Sequence, residues 1–445
     1  MRATFGWDEG TVPVIDHERE TQGRRLLARL LTASHLMPLE LLPATVSEHA
    51  AGVGFTRVLV YLADLQRDVL RLLTGEGLDA GGSTRGESGE LKVEGSMAGR
   101  AYQYGEILSV EAADPTERHW WVPLLDGTER LGVLRVTTTT IEVDARTRED
   151  MTLLAALVAL IVHSKEKSSD AMARLTRIRP LDIAAEMQWN LMPPRSYADG
   201  RVVISAAMEP AYAISGDAYD YATVGPVVHL SLFDAMGHDT AAGLTANLAV
   251  AACRNSRREG TGLVETGERI EQALIDQYGG ERYATGILAS LDTLTGQLTW
   301  INHGRHPPLL MRGGRWRSHL ACPPAHPMGT DLGVPAVPCR EQLEPGDRIV
   351  LYTDGITEAR DAGGREFGLE RFTDFLDRHH ADGLPVPETL RRLIHAVLDH
   401  HGGHLQDDAT VLFCEWLGPR AAPSDEAAAL VGLPPDEPVR PQQIV

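Results

Sequence analysis

The chain has 445 residues, 43% of them hydrophobic and 23% charged, which is the composition of an ordinary globular protein. Its length exceeds the roughly 250–300 residues at which a single core stops growing, so two or three domains are expected. Sixty-two acidic and 42 basic side chains give a net charge of −20, which opposes attraction to nucleic acid or to an anionic membrane, and neither is expected as a partner.

The first third of the chain predicts a small domain of mixed α and β structure. The N-terminal segment, residues 1–22, shows no clear period, and the next stretch has the spacing of two helices interrupted near Pro38. Alternating apolar residues on both sides of residues 64–67 predict two strands and a turn. Three shorter strands follow, near residues 107–110, 120–124 and 132–137. An apolar helix over residues 147–164 closes the domain, and it is too short in apolar length for the roughly 20 residues of a membrane span.

This order of helices, antiparallel strands and closing helix resembles a GAF domain, which is a small sensory module. The segments VEGSMAGRAYQYGEILSV, WVPLLDGTERLGVLRV and LLAALVALIVHSK carry the resemblance, and the domain is assigned to residues 23–167. The resemblance implies that the domain senses a small-molecule ligand or a partner. No cysteine occurs before Cys253, which disfavours a covalently attached bilin. A cyclic nucleotide, another small molecule or no ligand at all are the options left open.

Residues 168–195 predict a helical linker. The segment is helical in character, is broken at Pro180 and ends at Pro193 and Pro194. It could couple a sensor to an output domain, or it could be a spacer without a regulatory role.

Residues 196–418 predict a larger domain. Seven strand-like segments surround a helical block at residues 240–258, and a second helical zone spans residues 369–401. Many strands with helices in two blocks indicate an α+β sandwich. The tail, residues 419–445, is rich in Pro, Ala and Asp and is predicted to be disordered.

Acidic residues recur where the predicted strands of this domain begin or end. They are Asp217, Asp234, Asp354 and the neighbours Asp407 and Asp408. Carboxylates collected at one edge of a sheet repel each other unless a cation neutralises them, and an all-oxygen set suits Mg²⁺ or Mn²⁺. Two such ions promote in-line hydrolysis of a phosphate ester. Taken singly, each of these residues could equally be a turn or cap residue.

The motifs GDxYDY, FDxxGHDxAAGL, TGQLTWINHGRHPPLL, LEPGDRIVLYTDGITEARD, FGLERF and DDAT occur in that order. Together they resemble the PPM (PP2C-like) phosphatases of the SpoIIE/RsbU branch, over residues 183–416. The resemblance implies an α-β-β-α sandwich of two antiparallel sheets with helices outside. It also implies a protein serine/threonine phosphatase that uses Mn²⁺ or Mg²⁺, with two ions bound.

The same resemblance assigns the catalytic and metal-binding residues. The side chains of Asp217, Asp234, Asp354 and Asp407 would bind the metal, and the main-chain carbonyl of Ala235 would be a further ligand. Asp407 is preferred to its neighbour because the first Asp of the DDxT motif is the usual ligand of the family.

Other residues near these motifs have possible secondary roles. These residues are Asp220, Gly237, His238, Arg305 and Asp408. His238 could orient a substrate phosphate or water, or it could serve packing alone. Two positions depart from the family pattern, because Ser215 replaces a Gly and Arg305 replaces the His of an NAGH motif. Arg305 could bind phosphate through both arms of its guanidinium, or it could occupy a rim position.

The function that the resemblance implies is hydrolysis of phosphoserine or phosphothreonine. Relatives in this branch act on anti-sigma factor antagonists of the STAS type, so the expected partner is such a phosphoprotein in a sigma-factor cascade, under control of the GAF-like domain. A homodimer is a further expectation. One alternative is a catalytically silent regulatory binding protein on the same fold. Another is a metal-dependent phosphodiesterase that acts on a nucleotide.

The four cysteines are Cys253, Cys322, Cys339 and Cys414, and no two form a CxxC pair. We therefore expect reduced thiols in a cytoplasmic protein. The first ten residues lack the basic and apolar regions of a secretory signal, in agreement with that expectation.

Overall fold

The computed structural model describes residues 14–74, 88–139, 143–209, 212–213, 216–313, 315–403, 405, 407–420 and 425–433. The chain divides into two compact units. The first is made of most residues up to Ile178, and the second mainly of residues from Arg179 onward. Within the described ranges, no helix combines the length and the apolar character needed to cross a membrane.

The first unit is built on one six-stranded sheet. Its helices are α1 (Val14–Ser34), α2 (Leu42–Ala50), α3 (Met97–Tyr104), α4 (Ala145–Glu166) and α5 (Asp170–Thr176). Its strands are β1 (Phe55–Ala63), β2 (Val69–Leu72), β3 (Glu90–Lys92), β4 (Leu108–Glu111), β5 (Arg118–Asp126) and β6 (Glu129–Thr138). The strand order is β3-β2-β1-β6-β5-β4, and β1 pairs antiparallel with both β2 and β6.

Both faces of this sheet are covered. Val60 and Leu134 pack in a large core with α1, α2, α4 and α5. Their sequence neighbours Tyr61 and Val133 pack on the other face in a smaller core with α3. Successive side chains of a strand point to opposite faces, so each strand contributes to both cores.

The predicted helix pair, the strand pair around residues 64–67 and the closing helix are confirmed. Two boundaries differ from the sequence prediction. Helix α1 begins at Val14 and therefore crosses the boundary predicted at residue 22. The predicted linker, residues 168–195, does not form one element, because α5 packs in the core of the first unit and the next helix belongs to the second.

The second unit contains two sheets. Its helices are α6 (Ile183–Leu191), α7 (Thr240–Arg258), α8 (Leu263–Tyr278), α9 (Asp354–Thr357), α10 (Leu369–Ala381), α11 (Val386–His400) and α12 (Asp425–Val431). Its strands are β7 (Ser196–Ala198), β8 (Val202–Glu209), β9 (Asp217–Val224), β10 (Val227–Ala235), β11 (Ala284–Asp292), β12 (Gln297–His303), β13 (Leu309–Arg312), β14 (Arg315–His319), β15 (Cys339–Gln342), β16 (Asp347–Tyr352) and β17 (Ala409–Trp416). The sheet orders are β15-β12-β11-β10-β9 and β14-β13-β16-β17-β8-β7.

Three cores show that the two sheets lie face to face with helices outside. Leu232 of the first sheet and Leu412 of the second share the core between the sheets. Phe233, one residue further along β10, packs outward with α7 and α8. Val411 packs outward on the other side with α10 and α11. The mixed α and β class is confirmed, and the layers have the expected order of helices, sheet, sheet and helices.

Some elements of this unit were not predicted from the sequence. Strand β9 reads DAYDYATV, and its two buried aspartates hide the apolar alternation. Helix α12 lies in the tail that was predicted to be disordered, and Val431 is only 1% exposed where it joins an outer core. The prediction is therefore wrong for residues 425–431, and residues 434–445 lie outside the described part of the chain.

The cysteines correct another expectation. Cys322 and Cys339 form a disulfide, with Cα atoms 5.8 Å apart. The expectation of reduced thiols is wrong for this pair, which is separated by 17 residues and has no short motif to announce it. Cys339 begins β15, and the pairing of β15 with β12 positions it. Cys253 and Cys414 are free thiols, as expected, and both are buried.

A buried ion network in α11 predicts an acid-dependent loss of stability. Glu388 is 1% exposed and accepts hydrogen bonds from Arg391 at 2.8 and 2.9 Å and from Arg392 at 2.7 Å. Burial would raise the pKa of Glu388, but the two arginines outweigh it and hold the pKa below its ordinary value of 4.5. The contribution of this carboxylate is therefore complete above pH 4.5 and is lost as the pH falls through the lower, folded pKa.

We expect Glu388→Gln to lower the free energy of unfolding at pH 7, and the deficit should shrink below pH 4.5. Urea unfolding at a series of pH values measures both. Glu370→Gln, at an exposed position in α10, is the control and should follow the unsubstituted protein. A deficit that stays constant from pH 7 to pH 3 would contradict the ionic explanation.

Candidate metal centre

The predicted carboxylates come from separate segments that the two sheets bring to one edge of the second unit. Asp217 begins β9 and is the register partner of Asp234 near the end of β10. Asp354 is the first residue of α9, directly after β16 and Thr353. Asp407 precedes β17, which pairs with β16. Because β9 and β10 are antiparallel, the start of one strand and the end of the other necessarily meet.

Asp217 is the most enclosed member of the group. It is 2% exposed, and its carboxylate accepts a 2.7 Å hydrogen bond from the Thr353 hydroxyl. The side chain of Gln188 in α6 donates to the main-chain oxygen of Asp217 at 2.8 Å. Thr353 and Gln188 were missed from the sequence. Thr353 adjoins the TDG motif and could have been noticed, whereas nothing in the sequence connects Gln188 with a strand that starts 29 residues later.

The neighbours Asp407 and Asp408 do different things. Asp408 is 4% exposed, and its carboxylate accepts the backbone N–H of Gly216 at 2.7 Å and of Asp217 at 3.1 Å. Asp407 is exposed, and one of its oxygens accepts the N–H of Asp408 at 2.9 Å. Asp408 therefore ties the start of β9 to the start of β17, while Asp407 faces solvent. The choice of Asp407 as the ligand stays a prediction.

Arg305 lies between two of the predicted ligands. Its guanidinium donates to the carboxylate of Asp234 and to Asp354 Oδ1, the second at 3.3 Å, and its side chain is 5% exposed. Asn302 holds the backbone of Arg305 through two 2.8 Å hydrogen bonds, one to its N–H and one to its carbonyl. The two roles considered from the sequence were a phosphate contact and a rim position. In the structure Arg305 is a buried partner of the acidic residues.

The carboxylates perturb one another. Burial raises the pKa of Asp217 well above its ordinary value, and the charges of Asp234 and Asp408 raise it further. The pKa of Asp234 is raised to about 6, first by burial, with Arg305 opposing the increase and Asp354 and Asp407 adding to it. Both pKa increases come first from burial and then from neighbouring negative charges, and a cation at this edge would oppose both effects. The edge would therefore bind a cation favourably.

The donor set fits a hard divalent ion in its chemistry. Carboxylate oxygens are the ligands that Mg²⁺ and Mn²⁺ prefer, and the main-chain oxygens of Ala235 and Gly237 lie beside the same turn. A Cβ atom on Gly216 would stand 2.7 Å from the Ala235 oxygen and 3.1 Å from that of Gly237. However, among the residues that the structure describes, no three His, Cys, Asp or Glu side chains are grouped so as to hold a metal. In this structure the guanidinium of Arg305 binds oxygens of Asp234 and Asp354.

The other predicted residues fall in different places. His238 is exposed and lies near Asp407. Gly237 has a φ of 94°, in the left-handed region that favours glycine. Ser215 lies outside the described residues.

Asp220 is not part of this edge. It is three residues after Asp217 on β9, so its side chain points to the outer face. There it is 1% exposed and binds Arg254 and Arg257 of α7, with the shortest contacts at 2.7 and 2.8 Å. The expected secondary role beside Asp217 is corrected to an attachment of α7 to the sheet.

A glycine fixes the distance between two segments of the site, and this predicts a large effect of a small substitution. A Cβ atom on Gly355 would lie 2.0 Å from the carbonyl oxygen of Asp408, so α9 and the start of β17 would have to separate. We expect Gly355→Ala to lower the free energy of unfolding by about 1–3 kcal/mol. It should also weaken Mn²⁺ binding, because Asp354 would move away from Asp407.

Urea unfolding and calorimetric titration with Mn²⁺ test this expectation. Gly52→Ala is the matched control, because no atom lies within 4 Å of its added Cβ. If Gly355→Ala were as stable as the control and bound Mn²⁺ equally well, the close packing of these two segments would not matter to the site.

Comparison with known proteins shows what the second unit is similar to. Residues 225–417 match the family described as Stage II sporulation protein E (SpoIIE). This part of the chain is accordingly similar to the SpoIIE family. The match contains Asp234, Asp354 and Asp407, and it begins after Asp217.

Individual relatives are distant. The phosphoserine phosphatase RsbU of Bacillus subtilis (strain 168) is 21% identical over 234 residues, which are 52% of this chain and 68% of RsbU. Protein IcfG of Synechocystis sp. (strain ATCC 27184 / PCC 6803 / Kazusa) is 24% identical over 134 residues, 29% of this chain and 20% of IcfG. Among solved structures, the SiaA-PP2C domain of Pseudomonas aeruginosa gives a TM-score of 0.46 at 20% identity, covering 57% of this chain and 99% of that domain.

Proposed function

We propose that the chain is a metal-dependent protein phosphatase that hydrolyses phosphoserine or phosphothreonine. The observation that carries the proposal is the meeting of Asp217, Asp234, Asp354 and Asp407 at one edge between the two sheets of a unit that is similar to the SpoIIE family. Carboxylates from four separate segments repel each other at a shared edge, and in the contacts that the structure shows Arg305 pairs with two of them, Asp234 and Asp354.

The chemistry needs Mn²⁺ or Mg²⁺, and we propose two ions held by these four carboxylates and the main-chain oxygen of Ala235. Such ions would activate a water molecule and stabilise the negative charge on the oxygens of the transferred phosphoryl group. The chain's own contribution is positioning. Thr353 and Asp408 fix Asp217 and its turn, while Asp407 is the most exposed of the four carboxylates and the easiest for a phosphoprotein to approach.

The proposed substrate is a phosphorylated anti-sigma factor antagonist of the STAS type. Support comes from the likeness to RsbU, which is itself named a phosphoserine phosphatase. We further propose that the first unit is a GAF-like sensor that controls the rate, in response to a small molecule or a partner, and that the protein acts as a homodimer in the cytoplasm. The sheet of the first unit, with helices on both faces, supports the sensor role.

A second candidate is a catalytically silent binding protein. It is favoured by one observation, which is that Arg305 pairs with two of the carboxylates that the metal would need. A binding protein of this kind would recognise the same phosphoprotein without turnover.

Release of inorganic phosphate from a phosphorylated STAS protein by the intact chain separates the two candidates. The enzyme should release phosphate with Mn²⁺ present, and EDTA should stop the release. If the metal-treated protein bound the phosphoprotein but released no phosphate at any Mn²⁺ concentration, the binding-protein function would replace the enzyme.

A further inference from the structure

Arg305 occupies the space between Asp234 and Asp354, and its side chain is 5% exposed. One arm of the guanidinium binds each carboxylate, and the first arm also lies 3.3 Å from the Thr285 hydroxyl. A buried arginine that reaches two carboxylates in this way acts as their counter-ion. The same two carboxylates are those proposed to bind the metal.

We infer that Arg305 is a built-in competitor of the metal ion and sets the concentration of Mn²⁺ or Mg²⁺ that the site requires. In the metal-poor state the guanidinium neutralises Asp234 and Asp354. An ion that uses these oxygens must displace the guanidinium first. The inference rests on the proposed function, because it concerns the same metal site.

Electrostatic repulsion prevents the guanidinium of Arg305 and the metal ion from binding the same two carboxylates at once. A guanidinium and a divalent ion that share the oxygens of one carboxylate pair would lie within a few ångströms of each other, and like charges at that distance repel strongly in a poorly solvated site. The apparent affinity for the metal is then reduced by the fraction of molecules in which the side chain has already left.

The local structure allows the side chain to leave without unfolding the loop. Asn302 fixes the backbone of Arg305 on both its N–H and its carbonyl, so that only the side chain has to rotate. Within the described structure, Nε of Arg305 is buried and has no hydrogen-bond acceptor. An unsatisfied buried donor weakens the paired state, because the same group would be hydrated if the side chain swung out.

The remaining carboxylates can receive an ion while Arg305 is still in place. The carboxylate of Asp217 is bound by Thr353, and Asp407 is exposed. Neither receives a hydrogen bond from Arg305 in the contacts that the structure shows. A first ion at these residues would repel the guanidinium and promote its exit.

The test is the affinity of the intact, EDTA-treated protein for Mn²⁺, measured by isothermal titration calorimetry. We expect Arg305→Gln and Arg305→Ala to bind Mn²⁺ about tenfold more tightly or better, as removal of a competitor that keeps roughly nine-tenths of the molecules closed would predict. Arg305→Lys, which keeps the charge, should stay close to the unsubstituted protein. The control is Arg282→Gln, because Arg282 pairs with Asp239 at 3.2 Å outside the carboxylate set. Its affinity should not change.

Thermal unfolding gives a second readout that does not depend on activity. In EDTA, Arg305→Gln should melt at a lower temperature than the unsubstituted protein, because the carboxylates lose their counter-ion, and Mn²⁺ should raise its melting temperature by more. If Arg305→Gln bound Mn²⁺ equally well or more weakly, while the unsubstituted protein bound it normally, Arg305 would not be a competitor of the metal. The proposed metal site itself would be unaffected by that result. No Mn²⁺ binding by either protein at millimolar concentration would overturn both.

Discussion

Replacing Asp354 with Asn is expected to lower Mn²⁺-dependent phosphate release by about a thousandfold, which corresponds to about 4 kcal/mol of transition-state stabilisation. Asp354 begins α9 directly after β16 and adjoins Thr353, which binds Asp217. Asn has nearly the same shape but no charge, so the fold should persist while an ion loses an anionic ligand. The measurement is the initial rate of phosphate release from a phosphorylated STAS protein, together with the melting temperature in EDTA.

The matched control for this substitution is Asp374→Asn, which removes one carboxylate charge from an exposed position of α10 in the same unit. Its rate should equal that of the unsubstituted protein. If Asp354→Asn retained activity within a few-fold of the control, Asp354 would not be a ligand of the catalytic metal, and the assignment of the whole edge would have to be reconsidered.

Replacing Asp220 with Asn is expected to lower the free energy of unfolding by about 3 kcal/mol, since a buried ion pair that loses one partner leaves the other charge uncompensated. Two arginines would be left in this state, because Arg254 and Arg257 both bind Asp220 beneath α7. Mn²⁺ affinity of the folded protein should be unchanged, since Asp220 points away from the metal edge. Urea unfolding and calorimetric titration give the two quantities.

Asp239→Asn is the comparison for this prediction. Asp239 also pairs with an arginine, but its side chain is 58% exposed and caps α7, and Asn is as good a cap as Asp. Its effect on stability should stay within about 0.5 kcal/mol, as for most exposed ion pairs. A variant at Asp220 with full stability and weakened Mn²⁺ binding would restore the secondary metal role first expected for it.

The sequence predicted the position of a residue well where that position depends on the strand next to it in the chain. The apolar runs before Asp234 and Asp354 predicted strands, and β10 and β16 end beside those residues. The preference for Asp407 over Asp408 came from a motif, and the structure adds a physical reason, since Asp408 is engaged with backbone N–H groups.

The sequence was a poor guide where a role depends on a partner far away in the chain. Asp220 follows Asp217 by three residues and looked like its neighbour, yet strand geometry sends it to the opposite face, where α7 supplies its arginines. Arg305 could be noticed as a departure from the family motif, but its two acidic partners are 71 and 49 residues away. The Cys322–Cys339 bond likewise depends on a loop that brings the two cysteines together, and no local sequence pattern predicts the path of that loop.

The position of β17 in its sheet bears on how the protein folds. This strand lies between β16 and β8, although it is the final strand of the described chain, and it pairs with β8 from Ala409 opposite Glu209 to Trp416 opposite Val202. During synthesis the six-stranded sheet therefore remains in two unjoined halves until β17 has left the ribosome. Contacts so distant in sequence form slowly, because a long loop must close, at a cost in entropy, before these contacts can stabilise the fold. Asp407 and Asp408 precede this strand directly, so the acidic edge of a nascent chain stays incomplete until β17 has been synthesised.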